Sequence, residues 1–523
     1  MEITGKSIIG LSRGNESGTT FTAFNPATGE AVEPNFYSSS LDELNKACEL
    51  AENARIAYGK VSGKDKAKFL REIADNIEAL GDTLIERATL ETGLPNARFV
   101  GERGRTCAGL RMFADLVERG DWVDARLDTP NPDRQPIPKP DVRSMLRPLG
   151  TVAVFCASNF PLAYSVAGGD TASALAAGCP VIVNAHFAHP GVAELVGLSI
   201  SEAVKTCGLP EGVFSLIFSK GYEIGQALVK NPHVKAVGFT GSRVGGRALM
   251  DIAAARPEPI PVYAEMSSVN PIFILPSAMR EKFETIATGL HASVTGGAGQ
   301  FCTKPGFVVL PEAEETNKFT AKFGELISQT PKHPLLTEGI KNNFEKLSSQ
   351  RQTKLTSAEN NLQGFDVNAS VFQTDASKFL SDPSLEAEIF GPTTLFVQSN
   401  KHDELLEIAR NMEGQLTATI WGTPEDLMEF ADLLAILETK VGRLVFNGYP
   451  TGVEVGDAIV HGGPYPATSD SRTSAVGTRA IDRFCRYVAY QNFPNEALPD
   501  ELKDENPLEI KRMIDGKLSE STT

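Results

Sequence analysis

A chain of 523 residues exceeds what one hydrophobic core usually serves, and 41% hydrophobic with 22% charged residues is the balance of a multidomain globular protein rather than a disordered one. With 66 acidic against 50 basic residues the formal charge is −16, which repels phosphate backbones and anionic head groups and speaks against a nucleic-acid partner. The 7 cysteines lack any short CxxC spacing, which excludes a sequence-evident zinc site or disulfide framework, so a reducing compartment and no metal are expected.

The start, Met1 to Lys6, shows no basic region followed by a long apolar run, and a cytoplasmic location is expected. Ser40-Leu41-Asp42-Glu43 has capping-box spacing, with Leu44, Cys48 and Ala51 following at helical intervals. A second helical pattern runs through Phe69, Ile73, Ile77 and Leu80. Between Asp128 and Pro148 six prolines exclude a helix, and the few hydrophobes there point to an extended arm or linker. The nearly uncharged stretch Thr151 to Leu198 is broken by Pro161, Gly168-Gly169, Asp170, Gly178 and Pro180 before any membrane-spanning helix forms, so no membrane insertion is expected.

Short apolar runs at Thr151–Ala157, Pro180–Asn184, Val213–Phe218 and Ala236–Thr240 alternate with helical patterns, which predicts a parallel sheet with helical crossovers. A second α/β series follows at Ile272–Leu275, Phe307–Leu310, Thr393–Val397, Ala418–Trp421 and Arg443–Phe446. The acidic, Pro-containing tail from Asn495 is expected on the surface.

Four motifs carry chemistry. Cys302, in Gly299-Gln300-Phe301-Cys302, offers a thiol nucleophile, and Glu265, in Ala264-Glu265-Met266-Ser267-Ser268, a carboxylate able to activate water against a thioester. Asn159, closing the first run of the sheet before Pro161, serves either an Asx turn or an oxyanion. Gly241, Ser242 and Gly245 follow an apolar run and precede a helix expected near Arg247; they form either a tight connection or a cradle for a pyrophosphate. Glu388 and Phe390, ahead of Gly391-Pro392, are either a solvated acid beside a core ring or a ribose acceptor beside a nicotinamide.

Together and in this order the motifs resemble the aldehyde dehydrogenase superfamily over nearly the whole chain, from Phe24-Asn25-Pro26-Ala27-Thr28-Gly29-Glu30 to Phe493. The nearer likeness is to the branch of 2,5-dioxovalerate (α-ketoglutaric semialdehyde) dehydrogenases and related NADP-preferring fatty aldehyde dehydrogenases. Its marks are Ser158-Asn159-Phe160-Pro161-Leu162-Ala163, Ala167-Gly168-Gly169-Asp170, Glu265-Met266-Ser267-Ser268-Val269-Asn270-Pro271 and Gly299-Gln300-Phe301-Cys302.

The resemblance implies a Rossmann-like cofactor domain (1–135 and 151–263, with 446–483 returning to it), an α/β catalytic domain (264–445) and a small β oligomerisation flap (136–150 and 484–495), ahead of a tail at 496–523. It implies that Cys302 forms a thiohemiacetal and then a thioester, that Asn159 and the Cys302 N–H hold the oxyanion, and that Glu265 activates water. Glu388 would hold the nicotinamide ribose and Phe390 would pack near the ring, in a homodimer or homotetramer acting on a small aldehyde. Asn184 replaces the ribose-binding Lys of most relatives, Phe187 replaces the Glu of NAD-preferring ones, and no Lys or Arg lies between Pro148 and Val204. Loss of the Glu removes repulsion against a 2′-phosphate and favours NADP as preferred cofactor, or dual use with NAD, whereas loss of the Lys removes attraction, which leaves Lys220 or Arg243 as cation for that phosphate.

His461, in His461-Gly462-Gly463-Pro464, reads as a structural residue of a late turn, and Arg103, Arg105 and Arg111 as helix residues of which one could bind a substrate carboxylate. Two competing readings are a dehydrogenase that passes its thioester to coenzyme A, which needs no base such as Glu265, and a noncatalytic cofactor-binding relative.

Overall fold

The computed structural model describes residues 2–351 and 353–519. Two seven-stranded sheets organise it. In the first, the strands run in the spatial order Val262–Glu265, Val234–Thr240, Thr151–Phe155, Val181–Asn184 and Phe214–Ile217, followed by Ile8–Ile9 and Ser12–Arg13. The first five are parallel to one another, and Ile8–Ile9 adds antiparallel. Their side chains are apolar and mostly β-branched at nearly every position because helices cover both faces, the burial that all-parallel sheets require. Chain order reverses between Thr151–Phe155 and Val234–Thr240, so a crevice opens at their carboxyl ends, where such sheets take ligands.

The second sheet orders Lys354–Ser357, Ser370–Asp375, Thr393–Ser399, Phe307–Pro311, Ile272–Ile274, Gln415–Trp421 and Val441–Phe446. All five predicted runs are present, joined by Ser370–Asp375 and the antiparallel edge Lys354–Ser357, whose polar residues hide their strand character. A boundary at 263 falls inside the strand Val262–Glu265, which pairs with Val234–Thr240 in the first sheet and ends on Glu265 at the join of the two domains.

The capping box is formed as expected: Ser40 caps the helix Leu41–Gly59 and Glu43 returns a bond to its backbone. The second pattern becomes the helix Gly63–Ala79, whose Phe69, Ile73 and Ile77 are fully buried against Tyr58 and the helix Asn96–Arg119.

The proline-rich segment differs from a plain linker. Five of its six prolines lie in the excursion between Asp128 and Asp141, and the sixth ends Val142–Pro148, a strand that pairs antiparallel with Cys485–Gln491, in register from Cys485 opposite Pro148 to Gln491 opposite Val142. The tail also departs from the surface reading. Met513–Ile514 runs parallel to Arg126–Asp128 in this same five-stranded sheet, and Leu498, Leu502 and Ile510 are buried against Val123, Leu127 and Met145. Sparse, widely spaced hydrophobes sufficed because the small sheet needs only one face covered. The last four residues of the tail lie outside the described residues.

Candidate active site

Glu265 projects from the end of its strand into the space between the domains and is 5% exposed. The Cys302 turn is pressed against the opposite wall. Gly299 has φ +66°, and a Cβ there would stand 2.2 Å from the Gly391 carbonyl oxygen, so only glycine lets the two loops meet. Asn270, itself left-handed at φ 48°, donates from Nδ2 to the carbonyls of Cys302 (2.8 Å) and Lys304 (3.1 Å) and holds the turn from behind. Gln300 accepts from the Leu336 N–H at 2.9 Å through Oε1.

Across this turn comes Asn159, whose Nδ2 donates to the Gln300 carbonyl at 2.9 Å. That bond uses one of the two amide hydrogens and leaves the other for a substrate oxygen. The loop carrying Asn159 is fastened from the helix Asn96–Arg119. Glu102 accepts from the N–H groups of Leu162 (2.9 Å) and Ala163 (3.0 Å), and Arg98 donates to the Asn159 carbonyl at 3.2 Å and pairs with Glu102 at 3.3 Å. The Arg98 guanidinium also lies 4.6 Å from the Phe160 ring centroid and 5.0 Å from that of Phe301, so one side chain bridges the loops of Asn159 and Cys302.

His461 corrects the structural reading of its turn. The segment after it bridges back to Glu265, and its Nε2 stands 3.7 Å from Cys302 Sγ and 3.2 Å from Glu265 Oε1. Burial alone would raise the Glu265 pKa, but the His461 charge and hydrogen bond, the Cys302 hydrogen bond and Arg483 hold it below the ordinary carboxylate value. The Cys302 thiol goes the other way: burial, then the charges of Glu265 and Glu388, push its pKa well up. The resting pair is thus a thiol beside a carboxylate, arranged for proton transfer from sulfur to oxygen. No local sequence pattern ties His461 to Cys302; its role arises only from the fold.

Glu388 is half-buried, close enough for its charge to act on the thiol. Burial raises its pKa to about 7 despite Lys304, the Ser267 hydroxyl and the Ser268 N–H. Lys304, lowered by burial to about 8, donates to the carbonyls of Ile389 (2.9 Å) and Thr393 (2.8 Å), a second residue that sequence reading passed over. Phe390 is half-buried beside it.

The cofactor candidates cluster at the carboxyl ends of the first sheet. Ser242 caps a helix that begins at Arg243, not near Arg247, so Gly245 lies in its first turn and donates to Ser242 Oγ at 3.2 Å. Gly241 stays in the turn, where a Cβ would meet the Phe239 ring at 2.7 Å. Asn184 Oδ1 accepts from Ser219 at 2.8 Å, which leaves its amide hydrogens to the cleft. Phe187 (53%), Tyr222 (85%) and Val244 (81%) are exposed around this helix N-terminus, a set of apolar groups suited to a flat base beside a donor-rich phosphate site. Lys220 is exposed, with its Nζ donating to the Thr20 carbonyl at 3.3 Å, whereas Arg243 is tied to Glu413 at 2.7 Å. These residues fit a dinucleotide.

Of the three arginines, Arg103 donates to the Gly81 carbonyl and Arg111 is paired with Asp75 and Glu78, both away from the thiol. Arg105 faces the site: it donates to the Tyr164 hydroxyl at 3.0 Å, and the Tyr164 ring lies 6.4 Å from that of His461. It lines a groove of about 490 Å³ with Met112 and the loop Val453–Asp457, and no carboxylate pairs with it among the described residues.

Residues 13–464 match the model of the aldehyde dehydrogenase family. Alpha-ketoglutaric semialdehyde dehydrogenase 2 of Azospirillum brasilense is 48% identical over 99% of this chain and 100% of its own. The alpha-ketoglutaric semialdehyde dehydrogenase of Acinetobacter baylyi is 42% identical, again over 99% and 100%. Among solved structures, aldehyde dehydrogenase C of Pseudomonas syringae, in complex with NAD+ and octanal, superposes with a TM-score of 0.79 at 20% identity, covering 94% of this chain and 97% of that one. The chain belongs to the aldehyde dehydrogenase family.

Proposed function

We propose that the protein oxidises 2,5-dioxovalerate (α-ketoglutaric semialdehyde) to the dicarboxylic acid, with Cys302 as nucleophile, and with NADP preferred over NAD. The observation that carries the chemistry is the convergence of Cys302, Glu265 and His461 beside the Asn159 amide. Glu265 takes the thiol proton, with His461 hydrogen-bonded to it, and Cys302 Sγ attacks the aldehyde carbon. The second Asn159 N–H and the Cys302 backbone N–H receive the developing oxyanion. Bound NAD(P) supplies the hydride acceptor. Glu265, ionised again once that proton has passed to solvent, then draws a proton from water as it attacks the thioester and returns it to Cys302, which leaves as the thiol.

The substrate assignment rests on the two relatives matched over their whole length and on Arg105, which has no carboxylate partner among the described residues, lies near enough to Cys302 for its charge to act on the thiol, and suits the carboxylate of an oxo acid. Lys220, without an acid partner among the described residues, and the neutral Phe187 support NADP. The outer edge of Cys485–Gln491, without a strand partner among the described residues and carrying exposed Tyr487, supports a homodimer or homotetramer. A cytoplasmic location is supported by 7 cysteines without short CxxC spacing, which suit a reducing compartment.

Turnover of 2,5-dioxovalerate and of pentanal, measured in wild type and Arg105→Leu, tests the assignment. The variant loses about 100-fold in kcat/KM for the oxo acid and little for pentanal, because only the former leaves a carboxylate unpaired. Equal losses, or wild-type preference for long unbranched aldehydes, would move the assignment to fatty aldehydes, for which Phe160 and Phe301 are suited.

A further inference from the structure

We infer that the cluster of Cys302, His461 and Glu265 is also a zinc-binding site through which the metal reversibly inhibits the enzyme. The three side chains come from separate parts of the chain, 159 residues between Cys302 and His461 and 196 between His461 and Glu265, yet their ligand atoms all lie within 4.8 Å of one another. Among the described residues no second triplet of His, Cys, Asp or Glu approaches this closeness.

The spacing is that of a metal site. Tetrahedral zinc with sulfur at about 2.3 Å and nitrogen at about 2.0 Å sets those two atoms about 3.5 Å apart, and an imidazole nitrogen and a carboxylate oxygen about 3.3 Å apart. The corresponding separations here are 3.7 Å from Cys302 Sγ to His461 Nε2, and 3.1 to 3.2 Å from His461 Nε2 to the Glu265 oxygens. Two of the three separations thus match tetrahedral zinc to within a few tenths of an ångström, the third, from Cys302 Sγ to Glu265, lies within 4.8 Å, and three protein ligands leave a fourth tetrahedral position for water.

The donor set selects the metal. A thiolate and an imidazole favour zinc over magnesium or calcium, and thiolate plus carboxylate neutralise its two charges in a site where His461 is 1% and Glu265 4% exposed at the side chain. Proton bookkeeping closes with one proton released. The Cys302 S–H proton leaves to solvent as the S–Zn bond forms, while the His461 Nε2 proton moves to Nδ1, which has no hydrogen-bond partner among the described residues. Sulfur held by zinc cannot attack a carbonyl, and Glu265 as ligand cannot serve as base.

The inhibition rests on the proposed catalytic role of Cys302; the binding does not, and the test separates them. Full-length protein is titrated with Zn²⁺ against a chromophoric chelator, with aldehyde turnover followed in parallel, and the titration is repeated with Co²⁺. One zinc per chain should bind, turnover should fall and return with EDTA, and Co²⁺ should give a thiolate charge-transfer band. Cys302→Ala should lose the band and the tight site, and His461→Gln should weaken zinc by at least about tenfold. Glu265→Gln, which keeps the side-chain volume, serves as the second probe if either variant is unstable. Zinc affinity unchanged in Cys302→Ala, or a Co²⁺ spectrum without the thiolate band, overturns the site. Tight, Cys302-dependent binding without any loss of turnover upholds the site and overturns both its inhibitory role and Cys302 as nucleophile.

Discussion

Arg98 connects the two loops that must be in register for the first chemical step. Arg98→Lys keeps a positive charge near Glu102 but removes the planar group that lies over Phe160 and Phe301 and the fork that reaches the Asn159 carbonyl. A charged hydrogen bond is worth about 1.5–3 kcal/mol, and each guanidinium–ring contact about 0.5–1 kcal/mol at a partly exposed site, of which lysine recovers a part. A net loss of about 1.5–3 kcal/mol, felt when the oxyanion forms, lowers kcat about 10- to 100-fold. Asn159→Ala alone should cost about 10²- to 10³-fold, as removal of one oxyanion donor does.

If Arg98 acts by placing Asn159, the two effects are not additive: in the Asn159→Ala background Arg98→Lys should change kcat by less than about twofold. The assay is reduced-nicotinamide formation in the four proteins at a temperature where all stay folded, with thermal unfolding as control, since Arg98 is only 19% exposed at the side chain and loss of its contacts also lowers Tm by a few degrees. Losses that multiply in the double variant, or a fall in Tm large enough to account for the loss of activity, would refute the positioning role.

Cys302→Ala should abolish dehydrogenase turnover while leaving cofactor affinity intact, checked by fluorescence titration with NADPH. Lys220→Gln should raise the KM for NADP about tenfold and leave that for NAD unchanged, because only the 2′-phosphate needs a cation; equal KM changes would place that cation elsewhere. Glu388, raised to about 7 mainly by burial, must be ionised to accept two ribose hydroxyls, so cofactor should bind more tightly as pH rises through about 7, and Glu388→Gln should flatten that profile. The same shift has the opposite sign for the fold: an acid whose pKa is raised stabilises below its unfolded value and loses that contribution as pH rises through about 7. Phe69→Ala, at a fully buried position of the helix Gly63–Ala79, should cost about 3–5 kcal/mol in urea unfolding, provided that the transition is two-state.

Local rules made much of this protein legible in its sequence. A capping box needs only four residues, and Ser40 to Glu43 form it. Apolar runs such as Thr151–Phe155 and Val181–Asn184 read as buried parallel strands because both faces of such a strand must be apolar. Ser242 and its glycines announce a turn into a helix, although the start of that helix was set by the serine cap, four residues earlier than the glycines suggest. Cys302, Glu265 and Asn159 were identifiable because each sits in a short motif whose neighbours shape its turn.

The tertiary structure alone decided what these residues meet. Arg103 and Arg105 are two positions apart on one helix, about 200° around its axis, so one turns to Gly81 and the other to Tyr164 and the groove. Nothing local to either residue distinguishes them. His461 lies 159 residues from Cys302 and 196 from Glu265, and only the closing of the two domains on the late turn makes it their neighbour. The pKa values of Glu265, Cys302 and Glu388 likewise come from burial and from charges brought together by the fold, a property of the enclosed volume and not of any one segment.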